Sequence, residues 1–441
     1  MVDPDSMKSP TVASRKRVNA ENLASLGAER LAEILAQAAA SRPDLKRRLR
    51  MELAAEQGAD HLVLEIDRRL ASLDASRSKI SWRKRPSFVV DLDVLRSLIV
   101  ERLAGLDAAL ALDRMWLFMD LARRLGVRVR DRDGAMAEVF ARAAADIGGL
   151  AAKADPARAG AALVDALVRD PNGWADWLPW LTAAAPRPVL VAALAQLQAR
   201  EGGMSAWGEL TRALADAVGD AGAYRATFSA NALRDPSAAA EVAQRLLAAG
   251  DVEEAGRLLG AAQAAAPKFT LLAGRGQPVA PDFAWESAWI EYLERSGQGE
   301  AAQAARWASF ERTLSAERAR AFTQRLADFE DVEAENRAFA HAAAHADVDK
   351  ALAFLMDWPA LPEAARLIAA RGEAIKVGAE TAELWARRLR ARQPAAAHSL
   401  LRKAAAAAFR RRDFATCDRL TAEADAINDD EPAAPQAPRT K

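Results

Sequence analysis

The chain has 441 residues, 51% of them apolar, and its 61 basic residues balance 61 acidic ones. This balance excludes a strong overall field that would recruit nucleic acid or an anionic membrane. The single cysteine, Cys417, excludes an internal disulfide and a cysteine-based zinc finger, and it fits a reducing cytoplasm. The longest apolar runs fall far short of the roughly 20 residues that span a membrane, and the N-terminus lacks the apolar region of a secretory signal. We therefore expect a soluble, cytoplasmic protein.

Helix-forming residues dominate the chain from its first ordered stretch onward. Leu31, Ile34 and Leu35 lie at helical spacing, and Leu62 and Ile66 continue the pattern. Alanine, leucine, arginine and glutamate favour helices, whereas the strand formers valine, isoleucine and tyrosine are sparse. Composition and periodicity together predict an all-α protein.

Polar tails and two interruptions divide the predicted helices. Proline and charge make residues 1–18 and 428–441 typical of disordered tails. The helical rhythm also breaks at residues 76–88 and 267–283, which we interpret as long loops or small insertions. Between these breaks we predict an N-terminal helical segment (19–75), a helical repeat region (88–266) and a C-terminal TPR-like repeat region (282–427).

The stretch RLLAAGDVEEAGRLL, from Arg245, has the pattern of a helical hairpin. Gly250 can take the left-handed conformation that ends a helix, and Asp251 follows it. Ala255, five residues after the glycine, is small enough to let the second helix approach the first.

The same pattern recurs further along the chain. Gly297 precedes Ala302 by five residues, and a weaker copy places Arg412 and Cys417 at the two positions. The first two copies are about 47 residues apart, which is longer than a strict tetratricopeptide repeat and closer to HEAT-like units. We therefore predict an α-solenoid, that is, a TPR-like or HEAT-like helical repeat array. Separate helical domains that share ordinary hairpin signals are the alternative.

Motifs that would indicate catalysis or a cofactor are incomplete. His341 and His345 have the spacing of a zinc-binding helix, but Ala342 stands where the general base would be. A partly solvated helix face is the simpler interpretation of this pair, and metal binding is the alternative. We predict no catalytic, cofactor-binding or metal-binding residue.

Two aromatic and basic stretches are candidates for contact with a partner. Trp285 and Trp289 lie one helical turn apart, an arrangement that anchors partners but more often packs helices together. Nine basic residues and no acidic one occur between Leu384 and Arg412. The predicted partner-binding residues are Trp285, Trp289, Arg387, Arg390, Arg410 and Arg411.

Several stretches resemble an uncharacterised, all-helical bacterial family that is classed as a domain of unknown function. They are NAENLASLGAERLAEIL from Asn19, WRKRPSFVVDLDVLRSLIVERL from Trp82, ALALDRMWLFMDLA from Ala109, AWIEYLERSGQGEAAQAARWASFERTLSAERARAF from Ala288 and ALAFLMDWPALPEAARLI from Ala351. Related helical regions also follow SWIM-type zinc fingers, but one cysteine is too few for that finger. The resemblance implies the helical fold and transfers no catalytic residue.

These observations favour a non-catalytic helical-repeat protein that acts as a scaffold or adaptor. Its expected partner is another protein or a peptide, with no cofactor and no membrane. The alternative is a nucleic-acid-associated helical protein that uses basic patches at residues 79–85 and 387–412.

Overall fold

The computed structural model describes residues 18–174, 176–200, 204–266, 269–272, 275–278 and 280–429. By its backbone contacts the chain divides into two compact units, Met1–Ser229 and Ala230–Lys441. The predicted tails lie almost entirely outside the described residues. The division after Ser229 falls inside the predicted repeat region 88–266.

Helices make up the described part of the first unit. They are α1 (Ala20–Ala24), α2 (Ala28–Ser41), α3 (Pro43–Gln57), α4 (Ala59–Ala75), α5 (Arg85–Ser97), α6 (Ala104–Leu106), α7 (Ala108–Met119), α8 (Leu121–Arg128), α9 (Ala135–Ala151), α10 (Pro156–Arg169), α11 (Leu178–Ala184), α12 (Arg187–Ala199), α13 (Met204–Val218) and α14 (Ala221–Ala226). A π-helical segment, Leu98–Leu103, joins α5 to α6.

The second unit is also helical, apart from one short hairpin. Its elements are α15 (Pro236–Ala249), α16 (Val252–Ala265), β1 (Phe269–Leu272), β2 (Arg275–Pro278), α17 (Phe283–Arg295), α18 (Gly299–Thr313), α19 (Ala316–Thr323), α20 (Glu330–Ala344), α21 (Val348–Asp357), α22 (Leu361–Arg371), α23 (Ala379–Leu389), α24 (Pro394–Arg410) and α25 (Phe414–Asp429). Single 3₁₀ turns lie at Ala232–Arg234 and Gly372–Ala374.

The predicted helical class is confirmed, and the two strands are the exception to it among the described residues. They form part of the second sequence interruption and pair antiparallel, with Thr270 opposite Gln277. No helix in the described ranges is both long and apolar enough to cross a membrane.

The core of the first unit forms where the predicted apolar faces meet. Leu62 and Ile66 of α4 are completely buried. Phe118 of α7 packs against Phe140 of α9, with ring centroids 5.3 Å apart. Burying these large apolar side chains stabilises the unit by roughly 1.5–3 kcal/mol per residue before the loss of chain entropy is counted.

The hairpin turns predicted in the second unit have the expected backbone conformation. Gly250, Gly297 and Arg412 all have positive φ angles, of 88°, 79° and 63° respectively. The small residues Ala255 and Ala302, five positions after the glycines, are completely buried. The glycine and the small residue therefore act as the sequence pattern indicates.

Each of these turns closes through the same long hydrogen bond. The amide of Asp251 donates to the carbonyl of Leu246 at 2.9 Å, and the amide of Asp413 donates to that of Ala408 at 3.1 Å. This bond, together with the left-handed residue before the donor, is the Schellman ending of a helix. The Arg412 copy thus keeps the geometry although its sequence departs from the pattern.

Several helices of the second unit contact both the next helix and the one after it, and two helices of the first unit contact the one after next. In the second unit, α15 packs on α16 and α17, α20 packs on α21 and α22, and α23 packs on α24 and α25. In the first unit, α9 packs on α11 and α10 packs on α12. This contact order places alternate helices side by side, which creates grooves between them.

Candidate partner-binding surfaces

The predicted tryptophan pair contributes mostly to helix packing. Trp285 is 7% exposed, and its indole N–H donates to the carbonyl of Leu259 at 3.1 Å. Its ring stacks on that of Trp289, with centroids 5.4 Å apart and an angle of 11° between the planes. Trp289 is half-buried. The surface that this pair offers to a partner therefore comes from Trp289.

A glycine on the preceding helix leaves room for this aromatic cluster. Tyr292 packs on Trp289 with ring centroids 5.0 Å apart. A Cβ atom added to Gly256 would lie 2.3 Å from the Tyr292 ring, closer than any real contact. Only glycine at this position lets the ring of Tyr292 lie against α16.

The basic stretch from Leu384 to Arg412 does not form one surface. Arg387 and Arg390 lie near the turn between α23 and α24, whereas Arg410 and Arg411 lie at the other end of α24. Seventeen helical residues separate the ends of α24 by about 25 Å. All four predicted arginines are exposed, but they form two groups.

Other cations of this stretch bind groups within the second unit. Arg388 donates to the carbonyl of Met356 at 2.6 Å, and Lys403 pairs with Glu373. The Lys403 ammonium lowers the pKa of the Glu373 carboxyl by hydrogen bonding and by its charge, and the charge of Arg410 adds to this effect. These contacts use part of the basic stretch for intramolecular pairing.

The two histidines of the HAAAH motif bind backbone atoms. His341 Nε2 lies 2.8 Å from the carbonyl oxygen of Glu311 at the end of α18. The Nδ1 atom of His345 accepts a hydrogen bond from the amide of Asp347 at 3.1 Å. Within the described ranges, no group of three or more His, Cys, Asp or Glu side chains is arranged to hold a metal.

Buried charges join α17, α18 and α19. Glu286 accepts a hydrogen bond from the Ser309 hydroxyl at 3.0 Å and pairs with Arg312. Arg318, only 7% exposed, donates to the carbonyl of Phe283 at 3.1 Å. Burial lowers the pKa of the Arg318 guanidinium, and the charge of Glu286 opposes that shift.

A second group of charges links the end of α17 to the middle of α18 and to the segment after α19. Burial favours the neutral form of Glu294, but hydrogen bonds from Arg306 and Arg325 outweigh it and hold the pKa of Glu294 below its ordinary value. Arg325 Nε lies 2.7 Å from the Glu294 carboxylate. The ion pairs link neighbouring helices, so removal of one partner would leave the opposite charge unpaired in a partly buried place and would destabilise the packing.

A groove of about 380 Å³ lies between the alternate helices α20 and α22 in the second unit. Its floor is apolar, since Leu355 and Leu367 are almost completely buried and the ring of Phe339 is half-buried. Its walls are small and exposed alanines, namely Ala340, Ala343 and Ala370. Small walls allow another backbone to approach the floor closely.

Polar groups line the edges of this groove. Asn336 is exposed at one edge. At the other edge, Arg366 forms an ion pair of 2.7 Å with Glu363 of its own helix. Arg371 donates to the carbonyls of Ala343 and His345 at the end of α20. These hydrogen bonds fix the spacing of α20 and α22. The sequence did not reveal the groove, because it depends on helices that are not consecutive.

A smaller pocket of about 230 Å³ lies beside the π-helical segment of the first unit. Arg102 of that segment binds Glu52 at 3.1 Å and Glu56 at 2.8 Å on α3. At this pocket Arg102 therefore already pairs with two carboxylates of α3.

The basic patch predicted at residues 79–85 lies on the first unit, in the loop before α5 and at the first residue of α5. Trp82 within it is 74% exposed. The structure places a second basic loop, residues 128–133, beside this patch through a parallel bridge between Ile80 and Val129. Sequence reasoning missed Arg130 and Arg132 as members of the same surface, because the bridge joins residues far apart in the chain.

Comparison with known proteins gives a family and no curated relative. A family model described as "Family of unknown function (DUF6880)" matches residues 13–200 and residues 199–416. Because these two matches cover most of its length, the chain belongs to this family. No curated protein matches the chain.

Proposed function

We propose that this member of DUF6880 is a non-catalytic helical-repeat protein that acts as a scaffold or adaptor for another protein. The observation that carries the proposal is the groove between α20 and α22. Its volume lies within the range of pockets that accept ligand-sized groups. Its apolar floor and polar edges match the anatomy of small interaction sites.

The contact order of several helices supports a repeat arrangement inside the second unit. In TPR-like and HEAT-like arrays, each helical hairpin covers the apolar face of its neighbour, so a helix contacts the next helix and the one after it. The pattern of α15, α16 and α17 has this form. The Schellman turns at Gly250 and Gly297 support hairpins as the unit.

The proposed occupant is an apolar segment of a partner protein. Leu355 and Leu367 favour aliphatic or aromatic side chains at the floor. The alanine walls favour a helix or an extended strand whose backbone comes close, and Asn336 supplies an amide at the edge. Trp289 and the exposed arginines Arg387, Arg390, Arg410 and Arg411 remain proposed secondary contacts.

The experiment fills the groove. Ala343→Trp would occupy it with an indole, whereas Ala406→Trp adds the same side chain to an exposed position on α24. Both variants would be used as bait in the source cell, with quantitative mass spectrometry of co-purifying proteins. We expect a protein that is retained by wild type and Ala406→Trp and lost with Ala343→Trp at an unchanged melting temperature. Identical protein sets from all three baits would contradict the proposal.

Nucleic-acid association is the second candidate function. The two separate arginine groups on α23 and α24 do not favour it, because a nucleic-acid site needs its cations along one continuous track. The basic surface around Trp82 does favour it. A gel-shift assay with mixed single-stranded and duplex fragments tests this function. The absence of any binding even at a low salt concentration of about 50 mM would contradict it.

A further inference from the structure

Two loops of the first unit form one continuous basic surface. The amide of Ile80 donates to the carbonyl of Arg128 at 3.0 Å, in a parallel bridge between Ile80 and Val129. Residues 76–86 and 127–133 therefore lie side by side. We call them together the Trp82 surface.

Two arginines hold these loops together. Arg128 donates to the carbonyls of Ser78 and Leu73 at 3.0 and 2.8 Å, and to the hydroxyl of Ser76 at 2.9 Å. From the other loop, Arg85 donates to the carbonyl of Arg130 at 2.8 Å and to the carboxylate of Asp133 at 2.7 Å.. Arg128 and Arg85 therefore hold the two loops together, and the side chains of the other cations of the surface do not take part in these bonds.

Six further cations belong to the Trp82 surface. All six are exposed, and none forms an ion pair with any residue in the described part of the chain. They are Arg77, Lys79, Arg83, Lys84, Arg130 and Arg132.

The only two carboxylates of these loops are already bound. Asp131 accepts the amides of Met136 and Ala137 at the start of α9, and Asp133 binds Arg85. The surface therefore carries a local positive surplus although the whole chain is neutral. Such a surplus attracts phosphates and is screened by salt.

Trp82 stands among these cations with 74% of its surface exposed. The guanidinium carbon of Arg83 lies 5.1 Å from the centre of its ring. An exposed indole on a basic surface is suited to stacking on a base while the cations bind the flanking phosphates.

We propose that the Trp82 surface binds single-stranded nucleic acid. A base must be unpaired to stack on a side chain, so the indole favours single strands over a duplex. An acidic protein would use the cations but has no base to stack on Trp82. The inference deepens the second candidate function and is independent of the groove between α20 and α22.

The test uses the full chain and a fluorescent 20-nucleotide oligothymidylate, with anisotropy measured from about 50 to 200 mM salt. Wild type should bind with an affinity that falls as salt rises. Trp82→Ala should weaken binding roughly 5- to 150-fold, the range for loss of one base stack, and Trp82→Phe should restore most of it. Arg130→Ala with Arg132→Ala should reduce the slope of log affinity against log salt by about 1.4, since each phosphate contact on a single strand contributes about 0.7.

Matched controls lie on the same unit. Trp180 is 55% exposed outside the surface, so Trp180→Ala should leave binding unchanged. Lys153→Ala with Arg158→Ala removes two exposed cations elsewhere and should leave the salt slope unchanged. Circular dichroism melts would confirm that each variant is folded.

Three outcomes would overturn the inference. Equal binding by Trp82→Ala and wild type would show that no base stacks there. Duplex binding at least as tight as single-strand binding, with no effect of Trp82→Ala, would keep nucleic-acid association but reject a single-strand site. Binding to vesicles of anionic phosphatidylserine, without binding to single-stranded or duplex nucleic acid, would reject both the single-strand site and nucleic-acid association.

Discussion

Two basic regions of this protein, one in each unit, differ in how the backbone arranges their cations. Residues 76–86 and 127–133 meet side by side, whereas the arginines between Leu384 and Arg412 divide between the ends of one helix about 25 Å long. Loops that pair can keep all their cations on one side. A helix distributes them around its axis and along its length, where neighbouring carboxylates and carbonyls bind several of them. A run of charge in sequence therefore predicts a charged surface only when the backbone brings the residues together.

The largest expected effect comes from removing matched sets of cations. Alanine at Arg77, Lys79, Arg130 and Arg132 should weaken binding of the oligothymidylate about a hundredfold at 0.1 M salt. Alanine at Arg387, Arg390, Arg410 and Arg411 should change it less than twofold. Anisotropy titrations of the two quadruple variants measure both. Equal losses would break the comparison.

The arginines that fix structure should separate from those that do not. Arg128→Ala removes three hydrogen bonds from a partly buried guanidinium and should destabilise the protein by about 2 kcal/mol. Arg387 Nε contacts only the carbonyl of Glu383 in its own helix, at 3.3 Å, so Arg387→Ala should cost less than about 0.5 kcal/mol. Urea unfolding of both variants measures the difference. Similar costs would contradict the distinction.

The left-handed turn that ends the C-terminal stretch should respond to glycine. Arg412 has a φ of 63°, a conformation that costs a residue with a Cβ atom roughly 1–2 kcal/mol. Arg412→Gly should therefore stabilise the protein by about 1 kcal/mol, although it removes a charge. Gly250→Ala, at a φ of 88°, should destabilise it by a similar amount. Midpoints of chemical unfolding that move in the same direction would contradict this reasoning.

The smallest effect concerns pairing within the C-terminal stretch. Lys403 holds the pKa of the Glu373 carboxyl below its ordinary value of about 4.5. A depressed carboxyl pKa stabilises the folded state above the unfolded pKa, and that contribution is lost as pH falls through the folded value. Carbon-detected NMR should show the Glu373 pKa rising toward 4.5 in Lys403→Ala. An unchanged titration would show that the pair does not persist in solution.

Local patterns predicted the helices and most of the turns. The turns at Gly250 and Gly297 were predicted from the glycine itself, whereas the turn at Arg412 was predicted from the residues around it. A fourth turn at Gly219 was missed, although its φ is 73° and the Asp220 amide donates to the Ala215 carbonyl at 2.8 Å. Tyr224 stands there at the position that is small in the other copies.

Features that depend on distant residues escaped prediction. The bridge between Ile80 and Val129 joins two loops across four helices, and no periodicity in either loop indicates it. The groove between α20 and α22 needs the spacing of alternate helices, which Arg371 sets by binding Ala343 and His345. The indole N–H of Trp285 donates to the carbonyl of Leu259 on another helix, a contact that the spacing of residues within α17 does not indicate. The spacing of apolar residues predicted which face of each helix is buried, but it did not predict which helix packs against that face.

The bonds from Arg128 and Arg85 have a thermodynamic consequence for association. They order the backbone of both loops during folding, so the loss of main-chain freedom is already complete when a ligand arrives. Only the exposed side chains then become ordered on contact. Binding at this site should accordingly resemble a rigid encounter, with association rates governed by diffusion and charge rather than by a slow rearrangement.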